Sequence, residues 1–305
     1  MNKKSARYYG AALLAMFFWS LSFVWFKVAY KAYEPMTVVL LRLSFAAVII
    51  LIFSIAAGKL EKLKKEDRGW MLFLSFFEPF LYFMGESFGL KYISPTIAAV
   101  IISTIPLFTT LAAWYFHNET LSRVNFAGLL LSFAGVTLVV FDTTYGLSAS
   151  PLGLALEFLA VLSTIGYAVI LKRLTARYNG YTIITWQNGI GAFMFFPFWL
   201  IFESAATLQT PFNAEAFAAI LKLAVFASIL GFIFFTYSIR NIGINRSNMF
   251  VNVIPVFVAI FSFLILGDEL NVQKAAGIAV VVSGLFLAGK KGGSPAMLLK
   301  RSRIG

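Results

Sequence analysis

Apolar runs of about 20 residues follow one another through nearly the whole chain, and they decide what it can fold into. About 20 residues of helix, rising 1.5 Å each, cross the hydrocarbon core of a bilayer. Such runs fall at 10–30, 35–57, 70–90, 95–116, 125–141, 152–171, 182–202, 216–238, 247–267 and 272–289. Only 12% of the residues are charged, against about 25% in a soluble domain. A globular surface cannot be covered with so few polar groups. Pro35, Pro95 and Pro151 open three of the runs, where a helix has no use for the missing N–H. The first run follows Lys3, Lys4 and Arg7, as a signal peptide would. It is too long and ends without a small-residue cleavage site, so it reads as a permanent span.

The chain also repeats itself. At a shift of 149, residues 93–140 fall on 242–289. Pro106 then meets Pro255, Glu119 meets Asp268, Leu121 meets Leu270, and Gly128 and Gly135 meet Gly277 and Gly284. Fainter matches pair Gly10, Ala12 and Ser20 with Gly153, Ala155 and Ser163. Each half holds five spans. Five is odd, so the second half is expected upside down relative to the first. The expected fold is an all-α integral membrane protein of ten transmembrane helices, two inverted five-helix repeats around a central cavity. The expected divisions are a cytoplasmic N-terminus (1–9), a first repeat (10–141), a linker (142–151), a second repeat (152–289) and a basic tail (290–305).

Loop charges orient this arrangement. With ten spans, 19 Lys and Arg lie on the side of both termini and four on the other. The positive-inside rule places the termini in the cytoplasm, in a bacterial inner membrane. The net charge of +12 therefore encodes topology and attraction to anionic lipid rather than nucleic-acid binding. There is no cysteine and one histidine, His117. That inventory excludes thiolate metal sites and leaves nothing for a hydrolytic triad, so neither enzyme, cofactor nor metal is expected. With no P-loop, ATP cannot drive the protein directly. No oligomer signal is present.

Trp19-Ser20 with Lys27, Pro35 with Arg42, and two copies of the Pro…acid-x-Leu…Gly…Gly pattern carry a resemblance. The chain resembles the drug/metabolite transporter superfamily, in its EamA-domain branch of ten-helix permeases. That resemblance covers about 8–290 and implies a permease for small metabolites, often amino acids, commonly exported. Relatives that carry sugar phosphates or nucleotide sugars offer an alternative. Phosphate needs deep basic residues, and only Arg42 and Lys222 sit within spans. A non-transporting membrane receptor or scaffold is the other alternative.

Ionisable residues inside a span persist mainly where they face protein or a water-filled path. Glu78, Tyr82 and Glu86 recur at i, i+4, i+8, one stripe of a helix. Both acids are candidates for a substrate ammonium or a coupling proton, or else for an ion pair with Arg42 or Lys27. Asn248 and Asn252 beside Pro255 correspond to Ala99 and Ser103 beside Pro106, so these faces are expected to line the cavity or to join helices. Each proline is expected to free the carbonyl four residues earlier, Ile102 or Val251. Trp19 is a further substrate-binding candidate, with Trp25 and Tyr167 in a weaker aromatic set. Arg42, Pro106 and Pro255 are expected to be structural or gating. Glu157 reads as a wetted interfacial acid.

Overall fold

A computed structural model describes residues 3–109, 121–142, 146–147, 149–288 and 297–299. Residues 110–116 of the fourth expected span, His117, Glu119 and most of the basic tail lie outside the described residues. The described chain is helical, apart from two minimal antiparallel ladders: Leu121–Ser122 with Met297–Leu299, and Phe141–Asp142 with Gly146–Leu147.

In chain order the longer helices are α1 (Lys3–Ala29), α2 (Pro35–Ala56), α3 (68–92), α4 (Pro95–Thr109), α5 (Arg123–Val140), α6 (Pro151–Thr175), α7 (Gly180–Phe202), α8 (Ala214–Ile242), α9 (244–266) and α10 (Val272–Ala288), with a short helix at Ser204–Gln209 and a 3₁₀ turn at Lys65–Asp67 between them. Among the described residues, five segments are long and apolar enough to cross a membrane: Ala6–Ala29, Pro35–Ala56, Pro151–Thr175, Ala214–Ile242 and Arg246–Leu266. Shorter apolar helices accompany them. Large apolar side chains such as Phe193, Ile201 and Leu264 point outward, as lipid rather than water requires. The protein is a multi-pass helical membrane protein.

Helix boundaries follow local chemistry. Pro35, Pro95 and Pro151 occupy first turns. Ser94 and Asn179 cap α4 and α7 by accepting from Ile97 N and Thr182 N, which satisfies orphan first-turn donors. Gly243 (φ 84°) and Gly267 (φ 72°) end α8 and α9 in backbone that suits glycine.

Several helices depart from regular α geometry. α3 contains a π turn at Phe76–Leu81, where Glu78 leaves helical geometry (φ −147°, ψ 116°) before Pro79 through a cis peptide bond. α8 contains another π turn at Leu223–Gly231. Ahead of Pro255, α9 tightens to 3₁₀ geometry at Met249–Val253. Ahead of Pro106, Thr104 N likewise donates to Ile101 O, three residues back, at 2.9 Å.

Packing runs largely between the two halves. α1 lies on α8 and α9, and α6 lies on α3 and α4. α2 packs on α7 and α8, and α7 on α2 and α3. α5 packs along α10 through the repeated glycines. A Cβ on Gly135 would lie 2.9 Å from Gly277 O, and one on Gly284 would lie 2.8 Å from Gly128 O. Backbone contact of this closeness needs small residues at the crossing.

The antiparallel α2–α7 pair is stitched at both ends. At one end Glu203, which follows α7, receives Met36 N (3.1 Å), Thr37 N (2.7 Å) and Thr37 Oγ1 (2.8 Å) at the start of α2. At the other, Glu61, which follows α2, receives Asn179 N (2.7 Å) at the start of α7. A carboxylate at a helix N-terminus meets both its free N–H groups and its dipole.

Candidate functional site

Where α1, α2, α3, α4, α6, α8 and α9 converge, they enclose a cavity of about 70 Å³. Its polar wall is Ser22 from α1, Arg42 from α2, Glu78, Tyr82 and Glu86 from α3, Thr164 and Tyr167 from α6, and Asn248 from α9. Its apolar wall includes Trp19, Phe23, Phe83, Ile105, Phe232 and Phe235.

Several of these groups are held by identifiable neighbours. Arg42 is 2% exposed. Its Nε donates to Ser228 Oγ at 2.6 Å, and its Cζ lies 4.3 Å from the Phe83 ring centroid and 5.2 Å from that of Phe26. Ring faces attract a guanidinium without neutralising it. Nη1 of Arg42 is buried with no hydrogen-bond partner among the described residues. Tyr82 Oη donates to Glu86 Oε1 at 2.9 Å. Trp19 Nε1 donates to Ala227 O at 3.2 Å, inside the π turn of α8. Ion pairs among the described residues join Lys31 to Glu215, Lys91 to Glu34, and Arg177 to Glu66 and Asp67. None involves Arg42, Glu78 or Glu86, so the cavity holds one base and two acids without a direct pair.

The cavity brings together Trp19, Arg42, Glu78, Tyr82, Glu86 and Asn248. Ser103 and Asn252 do not line it, contrary to the expectation for these faces. For Asn252 the reason is the tight turn ahead of Pro255. In an α-helix residue i+4 lies 40° from residue i, but at 3.0 residues per turn the offset grows to 120°. Asn248 therefore points inward while Asn252 turns into packing, 1% exposed. Ser103 Oγ instead donates to Val100 O at 2.7 Å. Pro106 and Pro255 sit just beyond these turns. The Val251 carbonyl is not left free, since Ile254 N–H reaches it.

Three further expectations change. Glu78 does not continue the Tyr82–Glu86 stripe as helix; the π turn aims it at the cavity. Trp25 packs against Phe226 (5.8 Å between centroids) rather than lining the cavity. Glu157 is not wetted: it is 0% exposed. Lys222 lies within the Ala214–Ile242 span, as expected, and is exposed. Phe232, Phe235 and Thr164 line the cavity without having been singled out. Phenylalanine is too common here to mark them by type.

Beyond the cavity, at the end of the molecule that holds Glu61 and Asn179, Asp67 is buried against Arg177. Arg177 Nη1 lies 2.9 Å from Asp67 Oδ1, and Tyr178 Oη donates to Oδ2 at 2.9 Å. Burial pushes the Asp67 carboxyl up. The hydrogen bonds from Tyr178 and Arg177 and the Arg177 charge together pull it further down, leaving it below the usual carboxylate range.

Comparison with known proteins agrees with this architecture. The model of the EamA-like transporter family matches twice, over residues 6–141 and 151–289. An uncharacterized transporter of Archaeoglobus fulgidus is 25% identical over 278 residues, 91% of this chain and 97% of its own. The uncharacterized transporter YcxC of Bacillus subtilis is 28% identical over 91% of each chain. A crystal structure superposes with a TM-score of 0.67 at 16% identity, covering 92% of this chain and 98% of its own. At that identity the likeness concerns the fold.

Proposed function

Because this chain belongs to the EamA-like transporter family, we propose that it is a secondary transporter exporting small metabolites such as amino acids across the bacterial inner membrane by alternating access. The observation that carries the substrate class is the unpaired charge in the cavity. A guanidinium and two carboxylates share one enclosed space and do not neutralise each other directly. A zwitterion supplies both missing partners: its carboxylate to Arg42 and its ammonium to Glu86 or Glu78. Trp19, Tyr82 and Asn248 would contact the rest of the molecule. With one buried base beside two acids, a phosphorylated substrate fits poorly.

About 70 Å³ is less than the ~150 Å³ of an apolar cavity that admits benzene. The cavity must widen to admit an amino acid, so this is a contracted state in the proposed cycle.

The pairing of helices supports ten spans arranged as two inverted repeats. Exchange α1–α5 with α6–α10 in order, and the contacts α1–α8 and α1–α9 become α6–α3 and α6–α4. The contacts α2–α7 and α5–α10 map onto themselves. Gly135–Gly277 and Gly128–Gly284 are likewise exchanged partners at the shift of 149. A pseudo-two-fold axis in the membrane plane produces this pattern. Cytoplasmic termini follow from the loop charges, and Glu78 and Glu86 are the cavity-facing candidates for proton coupling.

Counterflow in proteoliposomes tests the proposal. Radiolabelled phenylalanine, leucine and threonine are the probes, with phenethylamine and phenylalanine methyl ester as competitors. The amino acids are expected to exchange, and the amine and ester, each lacking a carboxylate, to compete at least ~10-fold less well. Arg42→Gln is expected to weaken amino-acid binding by ~10–100-fold, the worth of a hydrogen bond to a charged group. No exchange of any labelled amino acid would remove this substrate class.

A further inference from the structure

Glu157 is the one acid of the membrane interior that neither the cavity nor any ion pair among the described residues uses. It lies on α6, two turns in from Pro151, and is 0% exposed. Neither Oε1 nor Oε2 has a hydrogen-bond partner among the described residues. Its side chain is pressed against α3 where that helix offers glycine. A Cβ on Gly89 would lie 2.7 Å from Glu157 Oε1 and 3.0 Å from its Cδ. On either side, Gly85 meets Ala160 N and Gly153 meets the Ile93 and Tyr92 side chains at similarly short range. The carboxyl is enclosed in a close α3–α6 contact.

Among the described residues no cation pairs with it. From α3, Glu86 acts on it electrostatically; the carboxyl in turn acts on Tyr82 of α3 and on Tyr30 just beyond α1. Farther along α3, Tyr92 is exposed and Lys91 is paired with Glu34. The Pro95–Ile102 part of α4, which also packs on α6, has no titratable residue. α7 and α8, which touch α6 more lightly, bring Tyr181 from α7 and Tyr237, Arg240, Lys222 and Glu215 from α8; none is among the groups acting on Glu157. An unpaired dry carboxylate costs several kcal/mol, and a like charge on Glu86 adds to that cost. A neutral acid avoids both. Glu86 lies one helical turn from Gly89, so the wall that bears the cavity acid on one face holds Glu157 against its glycines.

We propose that Glu157 is a proton-binding site of the transport cycle, loaded in this closed α3–α6 arrangement and discharged when the two helices separate. On separation, water reaches the carboxyl and takes the proton, and the carboxylate left behind is hydrated. Re-forming the contact requires a proton from the water then in contact with it. Each cycle thereby moves a proton between the states in which α3 and α6 are apart and together. This inference rests on the transporter reading above and assigns its coupling group to a residue outside the cavity.

Glu157→Gln tests it, because glutamine has the shape of the protonated acid and preserves the packing. Proteoliposomes loaded with the pH dye pyranine are given a one-unit pH gradient, and uptake of labelled phenylalanine, leucine and threonine is followed. For one coupled proton, that gradient supports up to about tenfold accumulation. The wild type is expected to accumulate label and to move protons in step. Glu157→Gln is expected to keep counterflow within about twofold, yet lose gradient-driven accumulation and the linked dye signal. Accumulation surviving in Glu157→Gln overturns the assignment, as does wild-type counterflow with no response to the gradient. Absence of wild-type counterflow overturns the transporter reading, and this one with it.

Discussion

Glu203 should be worth far more to the fold than Glu61, although the two acids do the same job at opposite ends of the α2–α7 pair. Glu203 is buried and accepts from two first-turn N–H groups of α2 and from Thr37 Oγ1. If it is replaced by alanine, Thr37 Oγ1 still has Thr207 Oγ1 at 2.7 Å and Trp199 Nε1 at 3.1 Å. The two backbone donors have no such substitute, and solvent does not replace what was lost. At ~1.5–3 kcal/mol for each hydrogen bond to a charged group, Glu203→Ala should destabilise by about 3 kcal/mol or more. Glu203→Gln keeps one acceptor but turns an amide N–H toward the other donor, for roughly half that. Glu61 is exposed and receives one backbone N–H, which water can satisfy, so Glu61→Ala should cost ~1 kcal/mol. Thermal unfolding of the detergent-purified protein reads the contrast. At ~2–4 °C per kcal/mol, Glu203→Ala should melt at least about 6 °C below wild type and Glu61→Ala within about 4 °C. Equal shifts for the two alanine variants would refute the reasoning that burial makes the cap.

Two other outcomes are expected. The Asp67 carboxyl is held below its unfolded value, so its stabilisation is fully present above the ordinary carboxylate range and is lost as pH falls through the folded value. Melting curves between pH 7 and 3 should therefore show wild type losing more stability on acidification than Asp67→Asn; parallel curves would contradict the pairing with Arg177 and Tyr178. Gly277→Leu places a side chain where a Cβ would already lie 2.6 Å from Val139 Cγ2 and 3.1 Å from Gly135 O, and overpacking of this kind costs ~1–3 kcal/mol. A drop in melting temperature is expected, whereas leucine at outward-facing Val272 should leave it unchanged; equal melting for the two variants would rule out the close α5–α10 crossing.

What could be read from the sequence divides along physical lines. Helix starts were legible because proline and capping residues act locally: Pro35, Pro95, Pro151, Ser94 and Asn179 need no tertiary information. The membrane class followed from hydropathy alone. The charged cavity residues were legible because ionisable groups are rare in such a chain, which made Arg42, Glu78 and Glu86 conspicuous. What failed was angular position. The stripe through Asn248 and Asn252 assumed 3.6 residues per turn, and the 3₁₀ turn ahead of Pro255 breaks that assumption. Ser103 differs: its N–H keeps the α-helical bond to Ala99 O, and its hydroxyl is spent on Val100 O. Glu157 departs from expectation because a place near the start of a helix suggests water, while Gly89, which it packs against, stands some 70 residues earlier. Nothing in the residues around Glu157 announces that contact.

The interleaved packing of the two halves also bears on how the protein is made. α1 leaves the ribosome well before its principal neighbours, α8 and α9, and α5 must wait for α10. Until then the glycine face of α5 and the polar face of α3 have only lipid or one another for company. A nascent chain stopped between the halves would be inserted but unmated, with its own five helices offering few of the contacts they are shaped for. Completion of the last helix is therefore the step that converts a set of spans into a single packed body, and the quality-control machinery of the membrane has the longest opportunity to act just before it.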